Sequence, residues 1–405
     1  MTSLDKRLLR DSVESLFAPS TANPPSMAIG AELELIPFDA ETHRQVLIRD
    51  GSLPVIQQIG RRAGWTEIPA GDDPSSWTLP AGGRISFEPG GQIEVSSVPS
   101  ASASTLIRDL QCTAQLLSGA FAGKGISLDA IGVDPYNDIA DVPLQLHRPR
   151  YSRMTDYFNS IGPSGIRMMR QTASLQINVE AGTNPHERWS LLNAIAPYVT
   201  AIFANSSRYA GSASGHKSYR AHLWRALDTS RTGLPVDTAN PEGRYYDFAL
   251  GAGAMMRTDI EPYDSFEAWA RDGNPTIEDW ELHLSTLFPE VRPRRYFELR
   301  SADAIAPDSL AAPIAFVAGL VYDDGAAHSA NAVLVAESTP SLDVAGKEGL
   351  ANDQIRDTAI QLIDIALAGA QALTPGYIAA SDIEVAEEFF EKYTRQGRSP
   401  GDDWS

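Results

Sequence analysis

One stretch limits what this chain can fold into: Arg84-Ile-Ser-Phe-Glu-Pro-Gly-Gly-Gln-Ile-Glu-Val-Ser-Ser-Val98. Residues 85–88 and 92–98 alternate apolar and polar side chains around Pro89-Gly90-Gly91. Alternation at period two predicts strands, and Pro-Gly-Gly is turn chemistry, so the stretch reads as a hairpin. Side chains two apart share a face of a strand. Gln92, Glu94 and Ser96 therefore point one way and Ile93, Val95 and Ser97 the other, with Glu88 at the lip of the turn. One face packs, and the other carries an acid and an amide. Solvated surfaces usually mix charge signs. Here no basic residue follows Arg84 until Arg108.

The same alternation recurs along the chain. In residues 27–38, Glu32 and Glu34 share a face with Gly30, opposite Ile29, Ala31, Leu33 and Leu35. Adjacent like charges repel, and a divalent metal, an arginine or solvent would each relieve them. Residues 172–180 place Ser174, Gln176, Asn178 and Glu180 opposite Ala173, Leu175, Ile177 and Val179. In residues 294–300, Tyr296, Glu298 and Arg300 share a face. Helical spacing marks residues 3–17, 53–63, 102–123, 151–158, 186–204, 277–288, 309–321 and 350–373, with Pro197 expected to kink or shorten its helix. Residues 127–133 read as a short strand, 229–233 as an ordered loop and 245–255 as strand then loop. No internal repeat or low-complexity linker divides the chain, so residues 1–405 are expected to form one domain, ending in a loose tail at 396–405.

Together these faces carry at least five acids: Glu32, Glu34, Glu88, Glu94 and Glu298. If the strands converge in one concavity, so many carboxylates cannot all stay ionised without cations. Mg²⁺ takes oxygen ligands and is commonly shared with phosphate oxygens. That points to nucleotide chemistry without a P-loop, since no G-x-x-x-x-G-K-[ST] occurs. Arg220, Arg231 and Arg300 then become candidates to clamp carboxylate or phosphate. A net charge of −19 argues against binding nucleic acid or an anionic membrane surface. The single Cys112 rules out an intrachain disulfide and is expected in a helix as a small core residue. The N-terminus has no signal-peptide h-region and no run reaches the roughly 18 apolar residues of a span, so a cytoplasmic protein is expected.

Several blocks make a family resemblance specific. They are Ile29-Gly-Ala-Glu-Leu-Glu34, Ser86-Phe-Glu-Pro-Gly-Gly-Gln-Ile-Glu-Val-Ser96, Leu175-Gln-Ile-Asn178 and Phe203-Ala-Asn-Ser206. Downstream come Tyr219-Arg-Ala-His-Leu-Trp224, Asp228-Thr-Ser-Arg-Thr-Gly233, His283-Leu-Ser-Thr-Leu-Phe-Pro-Glu-Val-Arg292 and Tyr296-Phe-Glu-Leu-Arg-Ser-Ala-Asp303. In this order they resemble the plant-type glutamate–cysteine ligase family. The resemblance implies an α+β fold: a curved, mainly antiparallel sheet forming a cup, helices outside, similar to glutamine synthetase. It implies ATP, glutamate and cysteine as small-molecule substrates, Mg²⁺ (or Mn²⁺) as cofactor, and γ-glutamyl phosphate on the way to γ-glutamylcysteine, the first step toward glutathione-type thiols. Carried over by position, Glu32, Glu34, Glu88, Glu94 and Glu298 would hold the metal. Gln176 would be a ligand or nucleotide contact beside Asn178, and Arg231 would approach the phosphates. Arg220 and Arg300 would meet the glutamate carboxylates and the transferring phosphoryl group, with Tyr219 and Trp224 in the substrate pocket. Without a second cysteine, the disulfide switch of the plant branch cannot operate here in that form. Residues 234–280 match least, which leaves the amine acceptor open. Two alternatives stand beside this reading: a ligase joining glutamate to another amine, and a non-catalytic binding protein on the same fold. The intact set of acids argues against the second. No oligomeric state follows from the sequence.

Overall fold

The structure is a computed structural model that describes residues 6–19, 27–233, 240–257, 264–337 and 339–404. At its centre runs β1 (Ile29–Asp39), long enough to take partners on both sides and at both ends. The other strands of the main sheet are β2 (Thr66–Ala70), β3 (Asp73–Thr78), β4 (Arg84–Phe87), β5 (Ile93–Ser96), β6 (Ile126–Asp129) and β7 (Ser174–Glu180). A separate ribbon pairs β8 (Arg208–Tyr209) with β9 (Ser212–Ala213), and the main sheet resumes with β10 (Val291–Pro293) and β11 (Tyr296–Asp303). The strand order is β10-β11-β7-β1-β5-β4-β3-β2, with β6 on the far end of β1. All these pairings are antiparallel.

Register puts the polar positions opposite one another. Glu34 faces Glu94, Glu32 faces both Ser96 and Gln176, and Glu298 faces Asn178. The other face is the core: Leu33, Ile93, Val95, Leu175, Ile177 and Leu299 are all buried. Burying each such side chain is worth roughly 1.5–3 kcal/mol, so a one-residue slip, which exposes the whole set, is strongly disfavoured. Helices Ala103–Ala122 and Pro185–Ile202 lie against this face, and Ala311–Tyr322, buried along its full length, packs on Asp353–Ala372 and Ala380–Lys392. Among the described residues no single helix is long and apolar enough to cross a membrane.

The Pro-Gly-Gly turn is held from several sides. Gly91 has φ +100°, and a Cβ on Gly90 would stand 2.0 Å from the Arg170 carbonyl oxygen. Both positions therefore require glycine. The Gln92 amide accepts from the Gly90 N–H (3.0 Å) and donates to the Thr172 carbonyl (2.8 Å), while the Gly90 carbonyl accepts from Gln45 and Gln145 (2.7 and 2.6 Å).

Four local expectations are corrected. Residues 245–251 belong to a helix, Pro241–Gly251, not a strand. Asn240 caps it by accepting from the Gly243 N–H (3.0 Å), and Tyr245, Phe248 and Ala249 bury at helical spacing. A short apolar run is ambiguous between the two periods until something fixes its start. Of the two outcomes expected at Pro197, a kink or an early end, the early end does not occur: helix Pro185–Ile202 continues through it. Cys112 is exposed, because Leu106, Leu110, Leu117 and Phe121 form the buried stripe of its helix and residue 112 falls outside it. The segment expected to be a loose tail, 396–405, is docked through residue 404, and residue 405 lies outside the described residues. Pro400–Trp404 is a 3₁₀ turn, the Gly401 N–H donates to the Ala204 carbonyl (2.9 Å), Ser207 donates to the Gly401 carbonyl (2.6 Å), and Lys217 pairs with Asp402.

Candidate active site

The polar face of the sheet floors a cavity of about 360 Å³. Glu32, Glu34, Glu88, Glu94 and Gln176 line it on the sheet side. Arg292 and Arg300 join them from β10 and β11, Arg148, Arg150 and Arg220 come from outside the sheet, and Tyr151, Met154, Met168, Met169, Trp224 and Phe288 supply an apolar flank. Acids from β1, β5 and the turn between β4 and β5 thus share the cavity with guanidinium groups from three other parts of the chain.

The acidic side is built for a cation. Oxygens of Glu34, Glu88 and Glu94 lie within 4.8 Å of one another. Glu34 Oε2 accepts from the Ser174 N–H (2.7 Å) and hydroxyl (3.1 Å), and Glu94 Oε1 accepts from Ser86 (3.0 Å) and Ser96 (2.8 Å). These bonds aim the carboxylates without neutralising them. Burial, reinforced by the Glu94 charge, pushes Glu34 up to about 7 against the pull of Arg220. Burial, with Glu94 and Glu298, likewise pushes Glu32 up to about 7. Burial beside Glu94 and Glu34 holds Glu88 well above the carboxylate range. Three hard oxygen donors this close, with Glu34 and Glu88 costly to ionise where they are buried, fit a divalent cation of the Mg²⁺ or Mn²⁺ type.

The basic side is organised by Glu298. This carboxylate is fully buried behind the cavity wall. It accepts from Arg292 Nε (2.8 Å) and Nη2 (2.9 Å), and from Arg300 Nη1. Burial raises its pKa, but Arg292 and Arg300 outweigh burial and hold it at about 2. Arg300 Nη1 also donates to Gln176 Oε1 (2.6 Å). Arg220 Nη2 donates to the Arg300 carbonyl (2.7 Å), and the indole of Trp224 carries both cations, with Arg300 5.0 Å and Arg220 5.7 Å from its ring centre.

The structure thus brings Glu32, Glu34, Glu88, Glu94, Gln176, Arg220, Trp224 and Arg300 to one cavity. It does not bring the other named residues there. Glu298 lies behind Arg292 and Arg300, its oxygens taken by guanidinium groups instead of facing the acid cluster. Asn178 shares the face but does not line the cavity. Tyr219 accepts from Arg167 (3.2 Å) and stacks against His222, away from the wall. Arg231, expected at the phosphates, is fully buried and spent on protein partners. It donates to Asp228 (2.7 Å), to the Thr286 carbonyl (2.9 Å) and hydroxyl (3.1 Å), and to the Gly253 carbonyl (2.5 Å). It clamps three backbone segments together.

Sequence reasoning missed Arg148, Arg150 and Arg292. Asp73 accepts from Arg148 Nε (3.1 Å), and Arg150 donates to the Ser285 hydroxyl (2.7 Å) and carbonyl (2.9 Å). The signal was present in His147-Arg-Pro-Arg150 and in the last residue of the Phe288-Pro-Glu-Val-Arg292 block, where basic residues cluster next to turns.

A family model described as glutamate-cysteine ligase family 2 matches residues 28–404. The chain is similar to glutamate–cysteine ligase EgtA of Mycolicibacterium smegmatis, 33% identical over 369 residues, covering 85% of this chain and 82% of that one. It is 32% identical over 317 residues to chloroplastic glutamate–cysteine ligase A of Oryza sativa subsp. indica, covering 73% of this chain and 63% of the rice protein. Among solved structures it shares its fold with the glutamate–cysteine ligase of Francisella tularensis in complex with AMP, at TM-score 0.55 and 11% identity, over 94% of this chain and 84% of that one.

Proposed function

The chain belongs to glutamate-cysteine ligase family 2, and from that premise we propose that it joins the γ-carboxylate of L-glutamate to the amine of L-cysteine, converting ATP to ADP and phosphate. The observation that carries this reading is the gathering of the Glu34–Glu88–Glu94 cluster and five arginines in one cavity. Amide formation from a carboxylate needs an activated acyl group. Attack of the γ-carboxylate oxygen on the γ-phosphorus forms an acyl phosphate and releases ADP. Attack of the amine on the acyl carbon then expels phosphate. Phosphoryl transfer of this kind depends on positioning and charge neutralisation, with no covalent protein nucleophile.

In this reading Glu34, Glu88 and Glu94, with Glu32 beside them, hold a divalent cation whose contribution is to neutralise phosphate oxygens. Arg220 and Arg300 meet the glutamate carboxylates and the transferring phosphoryl group. Glu298 holds Arg292 and Arg300 in place, so its charge sets their geometry. Gln176 Oε1 is already committed to Arg300, which makes it a support for that arginine. Met154, Met168, Met169 and Phe288 form an apolar, sulfur-rich flank suited to a small soft acceptor side chain.

The test is ADP release with glutamate and a panel of amines. Cysteine is expected to be the best acceptor, 2-aminobutyrate weaker, and aspartate inert in place of glutamate. An apolar slot discriminates by about 1–3 kcal/mol per methylene-sized difference, so 2-aminobutyrate should not be rejected outright. Turnover independent of glutamate would overturn the reading, and strong preference for another amine would replace cysteine while leaving the ligase chemistry in place.

A further inference from the structure

The block Tyr296-Phe-Glu-Leu-Arg-Ser-Ala-Asp303 ends in an acid to which nothing above gives a role. We propose that Asp303 is a positioning residue that holds the Arg220 guanidinium at the cavity wall, and so acts on glutamate binding through Arg220. The proposal rests on the reading that Arg220 meets glutamate.

The placement begins in β11. Along an unbroken strand, residue 303 would share the apolar face of Leu299. Between Leu299 and Ala302 the register against β7 shifts, so Leu299 pairs with Ile177, but Ala302 pairs with Leu175 and Asp303 with Ser174. The extra residue turns Ala302 into the core and brings Asp303 to the face that carries Ser174 and Gln176. Bulges re-aim side chains in this way.

The carboxylate has no exposure to solvent. Its Oδ2 accepts from the Asn205 N–H (2.7 Å) and Ser206 hydroxyl (2.7 Å), and its Oδ1 accepts from the Ser218 hydroxyl (2.9 Å). Both serines also bond the segment carrying Arg220. Ser206 Oγ accepts from the Arg220 N–H, and Ser218 Oγ accepts from the Ala221 N–H at the start of helix Tyr219–Leu227 (both 3.1 Å). Arg220 Nη1 lies 3.7 Å from Oδ1, beyond hydrogen-bond length, so this tie is Coulombic and little screened, since water is excluded. The opposite nitrogen, Nη2, is fixed on the Arg300 carbonyl. Two anchors therefore set the plane of the guanidinium. Room for the carboxylate comes from Gly132, where a Cβ would lie 2.4 Å from Asp303 Cγ.

A buried acid that only stabilised the fold would affect all substrates alike. A positioning residue predicts a split. Asp303→Asn keeps the shape and removes the charge. It should raise KM for glutamate roughly ten-fold or more and leave KM for ATP within about two-fold. Arg220→Gln should raise KM for glutamate likewise, and the double variant should be no worse than Arg220→Gln within about two-fold. Independent, multiplying losses, or equal shifts in both KM values, would overturn the proposal. If Asp303→Asn does not fold, Gly132→Ala, which crowds the carboxylate without removing it, should give the same glutamate-selective shift, and an equal effect on both substrates overturns the proposal. If Arg220→Gln leaves KM for glutamate unchanged, the glutamate reading of Arg220 falls. The glutamate part of the proposal falls with it, and the positioning of Arg220 by Asp303 is then judged on the unfolding of the two single variants and the double, with non-additivity supporting it and additivity overturning it.

Discussion

At Glu94 two serine hydroxyls hold one carboxylate oxygen, and the neighbouring acids crowd the other side. Removing its charge removes the attraction that makes the cluster a cation site, yet leaves the sheet's hydrogen bonds satisfiable. Glu94→Gln is expected to cut ADP release on the order of 100-fold or more while the far-UV spectrum stays unchanged. Mg²⁺ should stabilise the wild-type protein, by about 2.7 kcal/mol at about one hundred times Kd, and Glu94→Gln should abolish most of that gain. A thermal melt with and without Mg²⁺ checks both, and wild-type activity in excess chelator would contradict the assignment. Arg231 predicts the opposite pattern. Its guanidinium is buried on Asp228 and two backbone carbonyls, so Arg231→Met leaves an uncompensated acid behind. Stability should fall by about 3–5 kcal/mol in urea unfolding, while KM for ATP in the folded fraction stays near wild type. A selective rise in KM for ATP would restore Arg231 to the phosphates.

The hairpin β4–β5 delivers Glu88 and Glu94 as a unit, and its turn is fixed by three glutamine side chains and a backbone approach that only glycine permits. Gly90→Ala forces either the turn or the Arg170 segment to move. The expected cost is about 1–3 kcal/mol in stability, as for other overpacked sites. Activity should fall further than stability accounts for, because Glu88 shifts with the turn. Measuring kcat beside the unfolding midpoint separates the two effects. Normal kcat in a stable Gly90→Ala protein would show that Glu88 does not depend on the turn.

At the scale of the whole molecule, His283 contributes to pH stability away from the cavity. His283 is buried, donates from Nε2 to the Ala249 carbonyl (2.7 Å) and lies near Arg231. Burial, helped by the Arg231 charge, holds its pKa at about 3, against an ordinary value of 6.5. The native state therefore keeps His283 neutral in a range where the unfolded chain binds a proton. This contribution is fully present above pH 6.5 and is lost as pH falls toward 3. Near pH 5 the loss is about 2 kcal/mol. Urea unfolding at pH 7 and pH 5 should show this extra loss in wild type and not in His283→Gln. Equal pH dependence in the two proteins would refute it.

What the sequence determined by itself is what backbone geometry makes periodic. Alternation at Ile29–Asp39, Ile93–Ser96 and Ser174–Glu180 assigned each acid and amide to a face, and Pro89-Gly90-Gly91 named its own turn. Those features depend on neighbours two residues away. The tertiary structure decided the rest, because it depends on which strands and segments pair and pack once the chain is folded. Sheet order set Glu34 opposite Glu94 and gave Glu298 to Arg292 and Arg300. Packing of the Arg148–Arg150 segment against Asp73 and Ser285 completed the basic wall. A single extra residue in β11 decided which face Asp303 serves, and nothing in Ser301-Ala-Asp303 announces it. Side-chain period is legible from residue types, whereas register and convergence are fixed only when the apolar faces are buried together.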